Sequence, residues 1–350
     1  MEVSMVKMYE RSQEVILTSG SASSFANNLS IFYHEAKNTT FACIAHKNQV
    51  NTVNWDSKME GFTSDAIPIK DGECDKPLIV LQAKYCMPAC RSFPLLVIAS
   101  PGGAMVFDPR NSKMLAWSAV DVLSNSSSEL FNESIRFTRG ISYVENIIVV
   151  GTFMGDILFF TCTGENSVQT KKPIQEHKYA IADIATCHVD ELTCSADVSG
   201  VIIVWSKNLK TVQKIISTEH QINCINVLRK QVIIGTFLGQ LLFYSAVNGQ
   251  LMAEINAHVR QINAIAVAPE SAYVMSAGED SVIRIWKLHT RKPDAYRVEW
   301  RHNEILENMP LIGAQFTNGR GSAFVVSAYD YAKLFFFKIA KTLVSSASNA

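Results

Sequence analysis

Short apolar stretches recur along the chain, and each is followed by a tight polar or glycine turn and a second apolar stretch. Val149–Phe160 (VVGTFMGDILFF) matches Ile233–Tyr244 (IIGTFLGQLLFY) almost letter for letter, 84 residues later. Related stretches lie at Thr193–Trp205, Met275–Trp286 and Val326–Phe337. These runs are too short and too rich in β-branched residues for amphipathic helices, so the pattern predicts paired antiparallel strands.

Each repeated unit closes on an aromatic residue, and the aromatics define the period. They are Trp55, Phe107, Phe160, Trp205, Tyr244, Trp286 and Phe337. From Phe160 onward the spacings are 45, 39, 42 and 51 residues, and we interpret the longer upstream spacings as inserted loops at Gly61–Lys76 and Asp121–Ser134. Seven units of about forty residues with four strands each predict an all-β fold, a seven-bladed β-propeller of four-stranded antiparallel blades.

The ends of the chain predict how the ring closes. The sixth unit shows four strands, whereas the seventh supplies three and lacks a fourth. The strand-like segment Glu14–Ser19 (EVILTS) is spare, so we expect it to complete the last blade by pairing the N- and C-terminal strands. This predicts one propeller over residues 13–340 between flexible stretches at 1–12 and 341–350. The expected strands of the sixth unit are Ile262–Ala268, Ala272–Ala277, Ser281–Trp286 and Ala295–Trp300.

Composition narrows the class of protein. The chain has 350 residues, of which 48% are hydrophobic and 18% charged. Lys+Arg and Asp+Glu are both 32, and a formal net charge of zero argues against a nucleic-acid partner. No apolar run approaches a membrane span and the N-terminal stretch has no secretory h-region, so we expect a cytoplasmic protein without membrane insertion. The eight cysteines lie mostly in apolar strands, which is typical of reduced thiols rather than a disulfide framework.

Two units share a polar set at fixed offsets. The set is His258, Ser276, Asp280 and Trp286 in the sixth unit, and His177, Ser195 and Trp205 in the fourth. Each His precedes its Trp by 28 residues and each Ser by ten, while Ser199 occupies the position of the acid in the fourth unit. Ser, His and Asp together suggest a nucleophilic triad, but their recurrence beside a closing Trp favours a buried polar network that holds a blade together.

This set resembles the WD-repeat family. In that family the His comes from the loop entering a blade, the Ser from its second strand, the Asp from the next turn and the Trp from the third strand. The stretches Asn27–Ser30, Ile181–Thr186 and Ile255–His258 are similar to a single-propeller member of the family. The resemblance implies a non-catalytic scaffold or adaptor, and the fold alone does not identify its partner.

Motifs for metals and cofactors are weak. Cys86 and Cys90 form a single CMPAC pair without a second pair, so we predict no metal site. Pro101–Gly103 and Asn318–Gly321 are typical of turns rather than phosphate loops, and no cofactor is expected. The stretch Ser124–Glu129 (SNSSSE) is either a mobile surface loop or a loop for phosphorylation or docking.

The turns between second and third strands predict a partner-binding face together with the loops that enter each blade. The candidate residues are Phe153, Val198, Phe237, Glu279 and Asp330 in the turns, and Tyr179 and Arg260 in the entering loops. Aromatic residues and Arg are enriched at binding hot spots, so we expect a protein or peptide partner across blades three to six. Alternatively, Phe153 and Phe237 fold inward over the blades. The other function class is a propeller enzyme or small-ligand binder that uses the central channel.

Overall fold

The chain folds almost entirely into β-strands. The computed structural model describes residues 7–70, 76–120, 136–290 and 296–340. These ranges contain 28 strands and one 3-10 helix, Glu35–Lys37, and none of their helices is long and apolar enough to cross a membrane. The strands form seven four-stranded sheets with antiparallel pairing throughout, which confirms the seven-bladed β-propeller.

The strands follow one another through the blades in chain order, except that β1 (Tyr9–Ile16) belongs to the last blade. Blade 1 consists of β2 (Ser30–His34), β3 (Thr39–His46), β4 (Gln49–Asp56) and β5 (Thr63–Pro68). Blade 2 consists of β6 (Gln82–Cys86), β7 (Leu95–Ser100), β8 (Gly103–Asp108) and β9 (Lys113–Ala119). Blade 3 consists of β10 (Thr138–Val144), β11 (Ile147–Thr152), β12 (Asp156–Gly164) and β13 (Ser167–Gln175).

The next blades repeat this arrangement. Blade 4 consists of β14 (Ile181–Cys187), β15 (Leu192–Asp197), β16 (Val201–Trp205) and β17 (Val212–Ser217). Blade 5 consists of β18 (Ile222–Leu228), β19 (Gln231–Thr236), β20 (Gln240–Ser245) and β21 (Leu251–Asn256). Blade 6 consists of β22 (Ile262–Ala268), β23 (Tyr273–Gly278), β24 (Val282–His289) and β25 (Arg297–Ile305). Blade 7 consists of β26 (Leu311–Phe316), β27 (Ala323–Ala328) and β28 (Lys333–Ile339), together with β1.

The first strand of each blade lies next to the central channel, because each contacts the first strands of both neighbouring blades. The predicted closing aromatics all lie in third strands, and none is more than 9% exposed. They fill the space between adjacent blades. Trp205 of β16, for example, packs with Val149 and Phe159 of blade 3. The aromatic period therefore marks the third strands correctly.

Ring closure by the two terminal strands is confirmed, with different strand bounds. β1 pairs antiparallel with β28 from Tyr9 opposite Ile339 to Ile16 opposite Lys333. The strand thus begins five residues before the expected Glu14 and includes residues 9–12 of the stretch expected to be flexible. Only Tyr9 and Val15 of this strand are buried, and its exposed polar residues hide the strand in the sequence pattern.

Other boundaries also differ from the sequence pattern. The expected insertion at Gly61–Lys76 contains β5, the outermost strand of blade 1. The sequence pattern does not reveal this strand, because its exposed polar residues resemble those of a loop. In blade 6 the first strand has the expected bounds, whereas the fourth is Arg297–Ile305 rather than Ala295–Trp300. The expected insertion at Asp121–Ser134 and the stretch 341–350 lie outside the described residues.

Candidate functional site

The polar set of blade 6 forms a buried hydrogen-bonded chain. His258 lies in the entering loop, and its Nδ1 is 2.9 Å from Oδ1 of Asp280 in the turn between β23 and β24. Its Nε2 is 2.9 Å from Oγ of Ser276, which also accepts a hydrogen bond from Nε1 of Trp286 at 3.2 Å. The Asp280 carboxylate accepts two further bonds, from the N–H of Val259 in the entering loop and from the N–H of Val282 at the start of β24.

Blade 4 holds the same chain with its acid at another position. Nε2 of His177 is 2.7 Å from Oγ of Ser195, and Nε1 of Trp205 donates to that oxygen at 2.8 Å. Nδ1 of His177 is 3.0 Å from Oδ2 of Asp197, the last residue of β15. Ser199, which the offset from blade 6 marks as the acid position, instead donates its hydroxyl to Oδ1 of Asp197 at 2.6 Å.

The two positions of the acid exclude one another. The residue of blade 6 that corresponds to Asp197 is Gly278, and a Cβ there would lie 2.9 Å from Nδ1 of His258. Gly278 therefore leaves room for the carboxylate of Asp280, which reaches the histidine from the turn. In blade 4 the strand itself supplies the carboxylate, and the turn residue Ser199 supports it.

The two networks are suited to holding loops and strands together rather than to nucleophilic catalysis. Ser195 and Ser276 are fully buried, and each hydroxyl is engaged by both a His and a Trp. A nucleophilic serine needs open space for a substrate, which these positions lack. Burial alone would raise the pKa of the Asp280 carboxyl, but hydrogen bonds from His258 and the backbone lower it below its usual value. The same balance lowers the pKa of Asp197.

A buried ionic cluster lies on blade 2, at the end that is opposite to the entering loops. Nη2 of Arg91 donates to Oδ2 of Asp108 at 3.0 Å, and Arg110 donates to both oxygens of the same carboxylate at 3.0 and 2.6 Å. Hydrogen bonds from Arg110, then from Arg91, outweigh burial and lower the pKa of Asp108 to about 2. Glu165 of blade 3 lies 3.7 Å from Arg110, so the cluster joins two blades.

The expected partner face is formed by the entering loops and the turns between second and third strands, and its apolar candidates divide into two groups. Tyr179 is 57% exposed and Phe237 is 39% exposed, so both side chains reach the solvent. Phe153 is half-buried, with its ring 6.3 Å from that of Phe137 in the entering loop of blade 3, and Val198 is half-buried too. The inward alternative thus describes Phe153 better than Phe237.

The charged candidates are held by neighbours. Glu279 lies 4.0 Å from Arg260, and both side chains are exposed, so the pair stands on the surface of the face. Asp330 accepts a hydrogen bond from Oγ of Ser21 at 2.9 Å, and its backbone N–H donates to the carbonyl of Ala22. Asp330 therefore helps to fix the loop after β1.

The sequence pattern missed three exposed apolar residues on this face. Leu238 is 79% exposed, Val259 is 86% exposed and Tyr329 is 48% exposed. Each is adjacent in sequence to a residue that the pattern did select. The sequence signal that could have identified them is an apolar residue in a tight turn or loop, because such a residue is not needed for packing within the blade.

The central channel holds polar groups that already bind one another. A cavity of about 200 Å³ lies between the first strands. Asp183 accepts hydrogen bonds from Nδ2 of Asn27 at 2.6 Å and from the N–H of Ile225 at 3.0 Å. Burial raises the pKa of Asp183, although the bond from Ile225 and the charges of Arg139 and Lys84 oppose the shift. Within the described ranges, no three His, Cys, Asp or Glu side chains are grouped to hold a metal ion, and Cys86 and Cys90 are free thiols.

Comparison with protein families identifies the lineage of this propeller. The WDR54 family model matches residues 7–339. The chain belongs to the WDR54 family. Human WD repeat-containing protein 54 is 31% identical over 327 residues, which cover 90% of this chain and 95% of that protein. Rat WD repeat domain 54 is 30% identical over 342 residues, which cover 94% of this chain and 99% of that protein. The resemblance to a single-propeller WD-repeat protein is confirmed.

Solved structures share the fold at low sequence identity. A chain of the mitotic checkpoint complex superposes with a TM-score of 0.71 and 13% identity, covering 95% of this chain and 92% of that chain. The structure of U3-55K gives a TM-score of 0.69 and 11% identity, covering 93% of this chain and 98% of that chain. At such low identities, the similarity between this chain and the two solved structures shows only that they share the propeller fold.

Proposed function

We propose that this chain is a non-catalytic cytoplasmic scaffold that binds a protein or peptide partner across blades 3 to 6. The observation that carries the proposal is a series of exposed apolar side chains on one face. They are Tyr179 of blade 4, Phe237 and Leu238 of blade 5, Val259 of blade 6 and, beyond this sector, Tyr329 of blade 7. In blade 3 the half-buried Phe153 continues the series. Apolar residues grouped on one face are typical of protein-binding surfaces, and aromatic residues among them are typical of hot spots. Arg260 and Glu279 add charged groups within the same area.

Three further observations support a binding role over catalysis or nucleic-acid recognition. The two Ser–His–Asp sets are buried and fully engaged, so neither offers a nucleophile. The zero net charge lacks the cation surplus that phosphate-backbone binders use. The structural neighbour from the mitotic checkpoint complex is part of a multiprotein assembly, a use of the same fold that fits a scaffold.

The test compares partner recovery by matched variants in affinity purification from the native cell. The face variant carries Tyr179→Ala, Phe237→Ala and Leu238→Ala. The control variant carries Val189→Ala and Val247→Ala, which remove exposed apolar residues from turns at the opposite end of the blades. We expect recovery of specific partners by the face variant to fall about tenfold or more, and recovery by the control to equal wild type.

Both variants should melt like the wild type, because all five positions are exposed. Equal recovery by the face variant and the wild type would contradict the proposed face. Loss of recovery only in the control variant would move the binding surface to the opposite end of the propeller.

A further inference from the structure

A pocket of about 220 Å³ opens on the same face, where the loop between β1 and β2 meets blades 2 and 3. Its lining comes from that loop and from the entering loops and first strands of the two blades. The main lining residues are Phe25, Ala26, Leu81, Phe137, Thr138 and Arg139. The pocket lies at the blade 3 end of the expected partner face, where the ring of Phe137 is 6.3 Å from that of Phe153.

Most polar groups around the pocket are already satisfied by the protein. The hydroxyl of Thr138 exchanges hydrogen bonds with the backbone of Ser100 at 2.9 Å. Oε1 of Gln82, which also lines the pocket, accepts a bond from the N–H of Gly140 at 2.9 Å. These groups do not require a ligand, and the remaining lining is largely apolar. The pocket is therefore suited to an apolar group.

Arg139 is the charged residue of the lining. Its Nη2 donates to the carbonyl oxygen of Asn223 at 2.8 Å, so this contact is with a neutral group. Asp183 acts on Arg139 at longer range, and Lys84 faces the same carboxylate. Two cations of neighbouring inner strands thus act on one acid, and only Arg139 lines the pocket. An anionic group beside the pocket would complement this excess of positive charge.

Size and charge together select the occupant. Pockets for metabolites and drug-sized ligands usually measure about 300–1,000 Å³, so this smaller volume fits a single side chain. The phenyl rings of Phe25 and Phe137 would otherwise attract a cation, but the guanidinium of Arg139 repels one. We propose that the pocket binds a Phe or Leu side chain of a partner segment whose adjacent Asp or Glu pairs with Arg139. This inference rests on the proposed function, because it specifies how the partner is recognised.

The test uses fluorescein-labelled peptides and fluorescence anisotropy with the full chain. The peptides are GSGFDGSG and GSGDFGSG, together with versions in which Phe becomes Ala, or Asp becomes Asn or Lys. We expect the wild type to bind one of the two Phe–Asp orders about tenfold more tightly than its Ala version and its Lys version. The Asn version should have intermediate affinity, since it keeps the ring and loses the charge.

Two variants separate the two halves of the recognition. Ala26→Leu fills the pocket without removing a contact and should abolish the preference for Phe over Ala. Arg139→Gln removes the positive charge, together with the bond to Asn223, and should abolish only the preference for Asp over Asn. Both should first be shown to melt within a few degrees of the wild type.

Each outcome decides a separate point. Equal binding of every peptide by the wild type would overturn the pocket assignment. A Phe preference that survives Ala26→Leu would place the side chain elsewhere, and an Asp preference that survives Arg139→Gln would remove Arg139 from recognition. The scaffold proposal fails independently, when the face variant of Tyr179, Phe237 and Leu238 recovers partners like the wild type.

Discussion

At the scale of single residues, the geometry around a buried histidine is kept while the residue that completes it changes. In blade 4 the carboxylate comes from Asp197 in the strand, and in blade 6 it comes from Asp280 in the turn. Both place an oxygen about 3 Å from Nδ1 of the histidine, and both carboxylates also accept backbone N–H bonds. The physical requirement is a satisfied donor and acceptor chain, which more than one sequence position can meet.

Blade 4 allows this requirement to be tested on adjacent residues. We expect Asp197→Ala to lower the free energy of unfolding by about 1–3 kcal/mol, because it leaves Nδ1 of the buried His177 without a partner. Ser199→Ala should lower it by less, about 0.5–1 kcal/mol, because the carboxylate of Asp197 keeps its bonds from His177 and the backbone. Chemical denaturation of the two variants checks this. Equal effects would mean that the carboxylate does not hold the histidine.

The corresponding change in blade 6 gives an independent measure of the same network. His258→Ala and Asp280→Ala should each lower the free energy of unfolding by about 1–3 kcal/mol. Wild-type melting of both variants would argue against a stabilising role for the network.

The depressed pKa of Asp108 predicts how acid destabilises the protein. Its pKa is about 2 in the folded chain, against 3.8 for an unperturbed aspartate. The carboxylate therefore contributes its stability above about pH 4, and the contribution is lost as the pH falls toward 2. The shift corresponds to about 2 kcal/mol. Denaturation between pH 5 and pH 2 should show a shallower loss for Asp108→Asn than for the wild type.

Asp65 on β5 provides a matched control for this measurement, because its carboxyl is exposed. Asp65→Asn should keep the pH dependence of the wild type. An Asp108→Asn variant with the full acid sensitivity of the wild type would place the titrating groups elsewhere.

At the scale of strands, the inner and outer parts of each blade differ in how clearly the sequence predicts them. The second and third strands bury nearly every residue, so their apolar runs and closing aromatics could be predicted directly. Outer strands such as Tyr9–Ile16 and Thr63–Pro68 expose most residues and resemble loops in the sequence. The pattern therefore predicted the number of blades and the closure of the ring, but misplaced the outer edges.

In the candidate site, too, the sequence predicted only the residues that follow the repeat. His177, Ser195 and Trp205 were predicted because they repeat at fixed offsets, whereas Asp197 breaks the repeat and was missed. Leu238 was missed because exposure of a turn residue depends on how the turn packs, which a repeat pattern does not specify.

The closing strand β1 predicts unequal effects for two of its residues. Tyr9 is fully buried, its hydroxyl donates to the carbonyl of Gly321, and its ring lies 5.0 Å from Phe324 and 5.4 Å from His302 of blade 6. We expect Tyr9→Ala to lower the free energy of unfolding by about 3–5 kcal/mol, as for other buried aromatics. Thermal and urea denaturation would measure the loss.

Ile16 is the control in the same strand, because it is 69% exposed. Ile16→Ala should stay within about 0.5 kcal/mol of the wild type. A loss within about 0.5 kcal/mol at both positions would show that pairing of the strand backbone, rather than the buried ring, carries the stability of the closure.

At the scale of the whole molecule, the loop after β1 connects distant blades across the channel mouth. Asn27 has a left-handed backbone, with φ of 56°. Its N–H donates to the carbonyl of Asn263 in blade 6 at 2.8 Å, and its side chain donates to Asp183 in blade 4 at 2.6 Å. Asp183 in turn accepts from Ile225 in blade 5, so one residue helps to fix three blades relative to one another.

Substituting Asn27 and Asn38 by Gly tests this connection, because both residues have a left-handed backbone that Gly can keep. Asn27→Gly keeps the left-handed conformation and the backbone bond but loses the bond to the buried carboxylate. We expect it to lower the free energy of unfolding by about 1.5–3 kcal/mol, the usual range for bonds to charged groups. Asn38→Gly, with φ of 50° and exposed side-chain bonds, should cost less than about 0.5 kcal/mol. Equal effects would assign no special role to the channel contact.

The pairing of β1 with β28 also means that the ring can close only late in synthesis. Tyr9 leaves the ribosome first, yet its partner Ile339 is made about 330 residues later. At about 5–20 residues per second, translation takes roughly 17–66 s to supply the partner strand. During that interval six blades can form, while Tyr9 has no partner because the aromatic residues that cover it lie in the last three strands. The ring therefore becomes continuous only when the last strand emerges.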